Sequence, residues 1–265
     1  MLCACATRRD EAEALAASRR MVPAVVDGGV FALYTFAARD FSAGMPLSIY
    51  IEGDGHAFID RWHLSDDPTP RRPVALELAV QDPAPNIVYI ARPCQYVQGG
   101  DRHNCHPAYW SAARYAEPVV DAVAAVIDHY LSVSHARGLK LYGHSGGGAV
   151  ALLVAARRTD ARRVVTVAGV LDTEAWTRND GMTPLAGSLN PADEAALLAD
   201  IPQIHFAGGD DAVVPAAVAR SYAARFPPGR HPAIRVIAAS DHTCCWADRW
   251  PELLRQIDAE LDENH

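Results

Sequence analysis

Nowhere in the 265 residues does an apolar run approach the ~18 residues that a membrane-spanning helix requires, so no transmembrane span is expected. Basic charge is scarce as well. Lys and Arg number 24 against 32 Asp and Glu, a formal net charge of −8. No basic patch is therefore expected to neutralise phosphates, and a nucleic-acid partner is disfavoured. Internal repeats and low-complexity segments are also missing, which leaves no basis for a repeat architecture. What is present is ordinary for a globular protein: half of the residues are hydrophobic and 21% are charged. A chain of this length can bury a substantial core as one domain.

The N-terminus carries Leu2-Cys3-Ala4-Cys5, which resembles the site at which bacterial lipoproteins are cleaved and acylated on a cysteine. Only Met1 precedes it, whereas an export signal needs a positive segment and about 7–15 apolar residues. Two expectations follow. One is a periplasmic, lipid-anchored or secreted protein of the bacterial envelope, acylated on Cys5 and translated from further upstream. The other is a frayed tail on a cytoplasmic protein. Residues 1–25 are expected to be a tail or lead-in, whose Ala- and charge-rich stretch over 10–20 reads as a short helix or a flexible segment, and residues 26–265 to form a single domain.

Of the six cysteines, Cys94 and Cys105 flank a polar loop, 95–104, short enough for a disulfide to close in an oxidising compartment. His103, Cys105 and His106 fit no standard zinc-ligand spacing, and no metal is expected. Cys244 and Cys245 are expected to be buried thiols, or one of them to pair elsewhere, since a bond between neighbours is geometrically difficult.

Short apolar runs rich in Val, Ile and Tyr occur at 31–36, 47–51, 87–90, 139–142, 164–167, 204–207 and 234–238. They alternate with helical patterns, which predicts a mostly parallel sheet covered on both faces. One helix should run from Pro118 to a stop at Gly138, with Val119, Val123, Val126, Ile127 and Tyr130 on one face. A second should start at Gly146 and end near Arg157 and Arg158. Segments 68–73 and 172–202 read as excursions from the sheet.

Gly143-His144-Ser145-Gly146-Gly147 lies between the predicted strand 139–142 and the second helix. It matches G-x-S-x-G in its required strand–turn–helix context. Such a turn strains the serine backbone and leaves no room for side chains at the flanking glycines. A phosphate-binding reading fits poorly, because neither G-x-x-x-x-G-K-[ST] nor G-x-G-x-x-G is present.

A serine nucleophile needs a histidine base and a carboxylate to orient it. His242 is the histidine directly after the last predicted strand. The segment Gly208-Gly209-Asp210-Asp211-Ala212-Val213-Val214-Pro215 follows the strand before it, and its G-x-x-D-x-x-V-P register selects Asp211 as the acid. Asp210 and Asp172 stay open as alternatives. His144 reads as an elbow-support residue. For the oxyanion hole, one donor is the Gly146 N–H at the helix start. The second should come from Glu52-Gly53-Asp54-Gly55-His56, which resembles the His-Gly-x turn of lipases with Glu52 in the histidine position. That register makes the Asp54 N–H the donor, with Gly55 as the alternative, and requires the Glu52 side chain to point away.

From about residue 31 to residue 261 this order of strands, elbow, acid turn and terminal histidine resembles the α/β-hydrolase superfamily. Ile51-Glu52-Gly53-Asp54-Gly55, Ala91-Arg92-Pro93-Cys94-Gln95-Tyr96 and Gly187-Ser188-Leu189-Asn190-Pro191 are similar to stretches of a group of bacterial exported or lipoprotein-type hydrolases. The resemblance implies the α/β-hydrolase fold, and the segment 172–202 is too short for more than a minimal lid. The resemblance also implies a cofactor-free serine hydrolase, carboxylesterase- or lipase-like, with the triad Ser145, His242 and Asp211. The implied partner is a small-molecule or lipid-like acyl substrate. Two other readings keep the fold: a catalytically silent binding protein of the envelope, and an acyltransferase. Tyr96, Tyr109, Trp110, Trp176 and Trp246 are more often core than acyl-binding residues.

Overall fold

The computed structural model describes residues 6–179 and 181–261. Eight strands form one sheet in the order β1-β2-β4-β3-β5-β6-β7-β8. They are β1 (Met21–Asp27), β2 (Ala32–Ala38), β3 (Leu47–Ile51), β4 (Ile87–Ile90), β5 (Leu139–His144), β6 (Ala161–Val167), β7 (Gln203–Gly208) and β8 (Ala233–Ile237). β2 pairs antiparallel with both β1 and β4, and every other pairing is parallel. Eight α-helices accompany them among the described residues: α1 (Arg8–Ser18), α2 (Val74–Ala79), α3 (Glu117–Ser134), α4 (Gly146–Ala155), α5 (Thr173–Asn179), α6 (Ala195–Leu198), α7 (Ala216–Ala223) and α8 (Trp246–Leu261). None of these helices is long and apolar enough to cross a membrane.

Each central strand buries both faces, which is why it reads as a continuous apolar run rather than an alternation. In β3, Leu47, Ile49 and Ile51 join the core under α3, α4, α6 and α7, while Tyr50 joins the core under α1, α2 and α8. β5 divides the same way, with Leu139 and Leu141 on one face and Tyr142 on the other. Tyr50 and Tyr142 stack at 4.5 Å between ring centroids, and Trp250 of α8 meets both edge-on. All ten residues of α4 are buried, so this helix is held by packing all round.

Within the expected lead-in, residues 8–18 form a helix, as one of the two readings of that stretch had it, and residues 21–25 belong to the sheet. α1 opens with a capping box on Thr7 and Asp10, and Ala12 and Ala16 are buried against the sheet with Met21. β1 pairs along its whole length with β2, from Met21 opposite Ala38 to Asp27 opposite Ala32. β1 escaped notice because it is an edge strand with burial at only two of its seven positions and a proline inside. The segment Leu2-Cys3-Ala4-Cys5 lies outside the described residues.

Cys94 and Cys105 are joined by a disulfide, which commits Cys105 to that bond. Cys244 and Cys245 are bonded to each other, which corrects the expectation of thiols or of more distant partners. Cys245 reaches this arrangement at φ +74°. Of the aromatics singled out above, Tyr96, Trp110, Trp176 and Trp246 are buried. Tyr109 is half-buried against the core.

Candidate active site

Ser145 sits between the end of β5 and the start of α4 with φ 52° and ψ −123°, a conformation costing about 1–3 kcal/mol for a residue with a Cβ. Three contacts hold it there. Its N–H donates to Val167 O at 3.0 Å, and its carbonyl accepts from Gly148 and Val170. A side chain on Gly143 would overlap the backbone of Gly147, and one on Gly147 would overlap the carbonyls of Ile51 and Glu52. The glycines of the motif are thus required by the approach of β3, β5 and α4.

The loops after β7 and β8 bring the other two predicted residues to Ser145. His242 Nε2 lies 3.0 Å from Ser145 Oγ, and its Nδ1 lies 2.9 Å from Asp211 Oδ2. A carboxylate only accepts, so Nδ1 carries the proton and Nε2 offers its lone pair to the serine hydroxyl. Asp211 is fixed through its other oxygen, which accepts the N–H groups of Val213 and Val214 at 2.8 Å each. The two alternatives go elsewhere. Asp210 is exposed. Asp172 is buried and accepts from Ser221 Oγ at 2.6 Å and from Ala175 N at 3.0 Å.

The loop after β3 passes directly beside the serine, since a Cβ on Gly53 would lie 3.2 Å from Ser145 Cβ. Glu52 points inward, as its position required: Oε1 accepts the Gly53 N–H at 2.8 Å and Oε2 accepts the Tyr89 hydroxyl at 3.1 Å. Asp54 also turns inward, and here the structure adds residues that the sequence did not indicate. Its carboxylate accepts from Arg92 Nη1 at 3.1 Å, Arg114 Nη1 at 2.8 Å and the Tyr115 hydroxyl at 2.9 Å. Burial would raise its pKa, but Arg114 and Arg92 outweigh that and hold it below the usual carboxylate range. Among the described residues, no hydrogen bond engages the backbone N–H of Asp54 or of Gly146.

Of the three stretches singled out in the sequence, 51–55 forms this loop, 91–96 binds it directly, and 187–191 touches Tyr115, whose hydroxyl binds Asp54. From Arg92 to Tyr96, Arg92 binds Asp54 and Gln95 Nε2 donates to Gly53 O at 3.0 Å. From Gly187 to Pro191, Ser188 Oγ accepts the Tyr115 N–H at 3.1 Å. Asn190 Oδ1 caps the Thr173 N–H at 2.9 Å. A cleft of about 520 Å³, lined by residues that include Lys140, Arg162, Arg163 and Asp200, opens at the opposite ends of β5 and β6. It shares no residue with the Ser145 cluster.

No protein-family model matches the chain, and no curated protein sequence matches it. Solved structures do. Est1E of Butyrivibrio proteoclasticus, with ferulic acid bound, superposes with a TM-score of 0.65 at 12% identity over 91% of this chain and 99% of that one. An alpha-beta serine hydrolase homologue from Coxiella burnetii gives a TM-score of 0.62 at 16% identity, covering 91% and 97%. A puromycin-hydrolyzing peptidase of Mycobacterium tuberculosis gives 0.62 at 17% identity, covering 91% of this chain and 38% of the larger one. Strand order, elbow and structural likeness together identify the fold of this chain as the α/β-hydrolase fold.

Proposed function

We propose that the protein is a serine hydrolase that cleaves a carboxylic ester or thioester through an acyl-enzyme on Ser145. The observation that carries this reading is the unbroken chain of contacts from Ser145 Oγ to His242 and on to Asp211. In that order His242 Nε2 takes the hydroxyl proton as Oγ attacks the acyl carbonyl. Asp211 stabilises the imidazolium that forms. The proton then passes from Nε2 to the leaving alcohol or thiol. Water, deprotonated by the same nitrogen, releases the acid and returns the proton to Ser145.

The developing oxyanion is held, in this reading, by the N–H groups of Gly146 and Asp54. Gly146 adds the positive end of the α4 dipole. The ionised Asp54 beside them carries two arginines, so the cluster as a whole is not anionic. The similar structures named above include a serine hydrolase homologue and a puromycin-hydrolyzing peptidase, which supports hydrolysis as the class of reaction. Two disulfides are consistent with an oxidising compartment and hence with export.

The test is labelling by a fluorophosphonate probe, with the adduct located by intact and peptide mass, in wild type and in Ser145→Ala. Labelling confined to Ser145, followed by turnover in an ester and thioester screen, is the expected result. A folded wild-type protein that neither labels nor turns over any ester overturns the reading. Product analysis with added alcohols separates hydrolysis from acyl transfer.

A further inference from the structure

The residue before the nucleophile has a bond that the reaction above does not use. His144 is buried, with its side chain 6% exposed, and its Nε2 lies 2.9 Å from the backbone carbonyl of His242. A carbonyl only accepts, so this contact fixes the proton on Nε2 of His144. Nδ1 of the same ring has no hydrogen-bond partner among the described residues and faces Glu52 Oε1 at 3.8 Å. A Cβ on Gly53 would stand 3.2 Å from that Nδ1, so the glycine lets ring and loop lie against each other.

These contacts run through three separate loops. His242 O belongs to the loop after β8, His144 to the turn after β5, and Glu52 with its bound Gly53 N–H to the loop after β3. The loop after β8 needs such an anchor. β8 is the last strand at its edge of the sheet, none of its five residues is fully buried, and Asp241 and Thr243 on either side of His242 are exposed. Besides the contacts of the His242 ring with Asp211 and Ser145, the loop is tied at the neighbours of His242, from Asp210 N to Ser240 O at 3.0 Å and from Trp246 Nε1 to Asp241 O at 2.9 Å. Among the described residues, the backbone of His242 is held by the bond from His144, the residue adjoining Ser145.

We propose that His144 is a positioning residue that holds the backbone of His242 so that the Nε2 of His242 stays within reach of Ser145 Oγ. The inference rests on the hydrolase reading. A displacement of about 1 Å between reacting groups costs on the order of 10²-fold in rate. The cost falls on kcat rather than on substrate binding.

The experiment compares wild type, His144→Leu and His144→Gln on a chromogenic acetate ester, with fluorophosphonate labelling rates and a thermal melt for each. Leucine removes the donor. Glutamine keeps an amide N–H at nearly the place of Nε2. His144→Leu is expected to lose about 10²-fold in kcat with little change in KM and to label correspondingly slowly. His144→Gln is expected to recover most of both. A folded leucine variant that matches wild type overturns the inference, and so do equal losses in the two variants. If leucine fails to fold, His144→Asn takes its place, because its amide is too short to reach the carbonyl, and the same losses and the same contrast with glutamine are required. A wild type that neither turns over nor labels overturns the hydrolase reading and this inference together. An active wild type with an unaffected His144→Leu overturns the inference alone.

Discussion

The carboxylate of Asp54 occupies the space that any side chain on Gly146 would need: a Cβ built there would overlap Asp54 Oδ1 and approach the Tyr115 hydroxyl at 2.8 Å. Gly146→Ala must therefore push Asp54 away from Arg92, Arg114 and Tyr115, and with it the backbone expected to supply an oxyanion donor. We expect kcat/KM toward a chromogenic ester to fall by about 10²-fold or more. Gly100→Ala is the control, since its Cβ would meet nothing within 4 Å, and it should behave as wild type.

Asp211 and Asp172 are both buried carboxylates on loops after strands, yet only Asp211 touches His242. Asp211→Asn is expected to lower kcat by about 10⁴-fold, because the amide no longer favours the Nδ1–H tautomer. Asp172→Asn should leave kcat near wild type and lower stability by about 1–3 kcal/mol, through its bonds to Ser221 Oγ and Ala175 N. Steady-state kinetics and urea melts on both variants check the split. Equal kinetic losses would contradict it.

His205 lies wholly inside β7, with Nδ1 2.8 Å from Thr166 Oγ1 and Nε2 3.2 Å from Gln203 Oε1. Burial lowers its pKa to about 3. The unfolded chain titrates near 6.5. Between those values the unfolded state binds the extra proton, so stability is present above about pH 6.5 and is lost as pH falls toward 3. His205 alone should remove about 2 kcal/mol between pH 7.5 and pH 5. Urea melts at the two pH values measure this, and His205→Asn, which takes up no proton there, should flatten the dependence.

The Cys94–Cys105 bond closes a loop between residues 11 apart in sequence, next to Arg92 and Gln95, which hold the loop after β3. Replacing both cysteines by alanine is expected to cost about 2–4 kcal/mol. The guanidinium midpoint of the double variant should match that of wild type under dithiothreitol, if this bond dominates the effect of reduction.

Much of the site was legible before the structure, and for a local reason. G-x-S-x-G, the aspartate turn and the histidine after the last strand are short patterns, each set by what one strand-to-loop junction can accommodate sterically. The seven expected strands are all present, with boundaries moved by a few residues; β3 and β4 match their predicted spans. What escaped was either an edge or a partner at long range. β1 lacked a continuous apolar pattern because it is an edge strand exposed at five of its seven positions. Arg92 and Arg114 reach Asp54 across 38 and 60 residues of chain, and nothing in the spacing of a charged residue announces such a partner.

By itself, then, the sequence determined the class of sheet, the strained turn that presents Ser145, and the order in which acid and base follow it, because sterics and burial imprint these on neighbouring residues. Only the tertiary structure set Asp211, rather than Asp210 or Asp172, against His242, turned Asp54 inward between two arginines, and set His144 against the carbonyl of His242. Those choices depend on which loops the sheet order brings together. A buried charge or imidazole is stable only where that convergence supplies its partner.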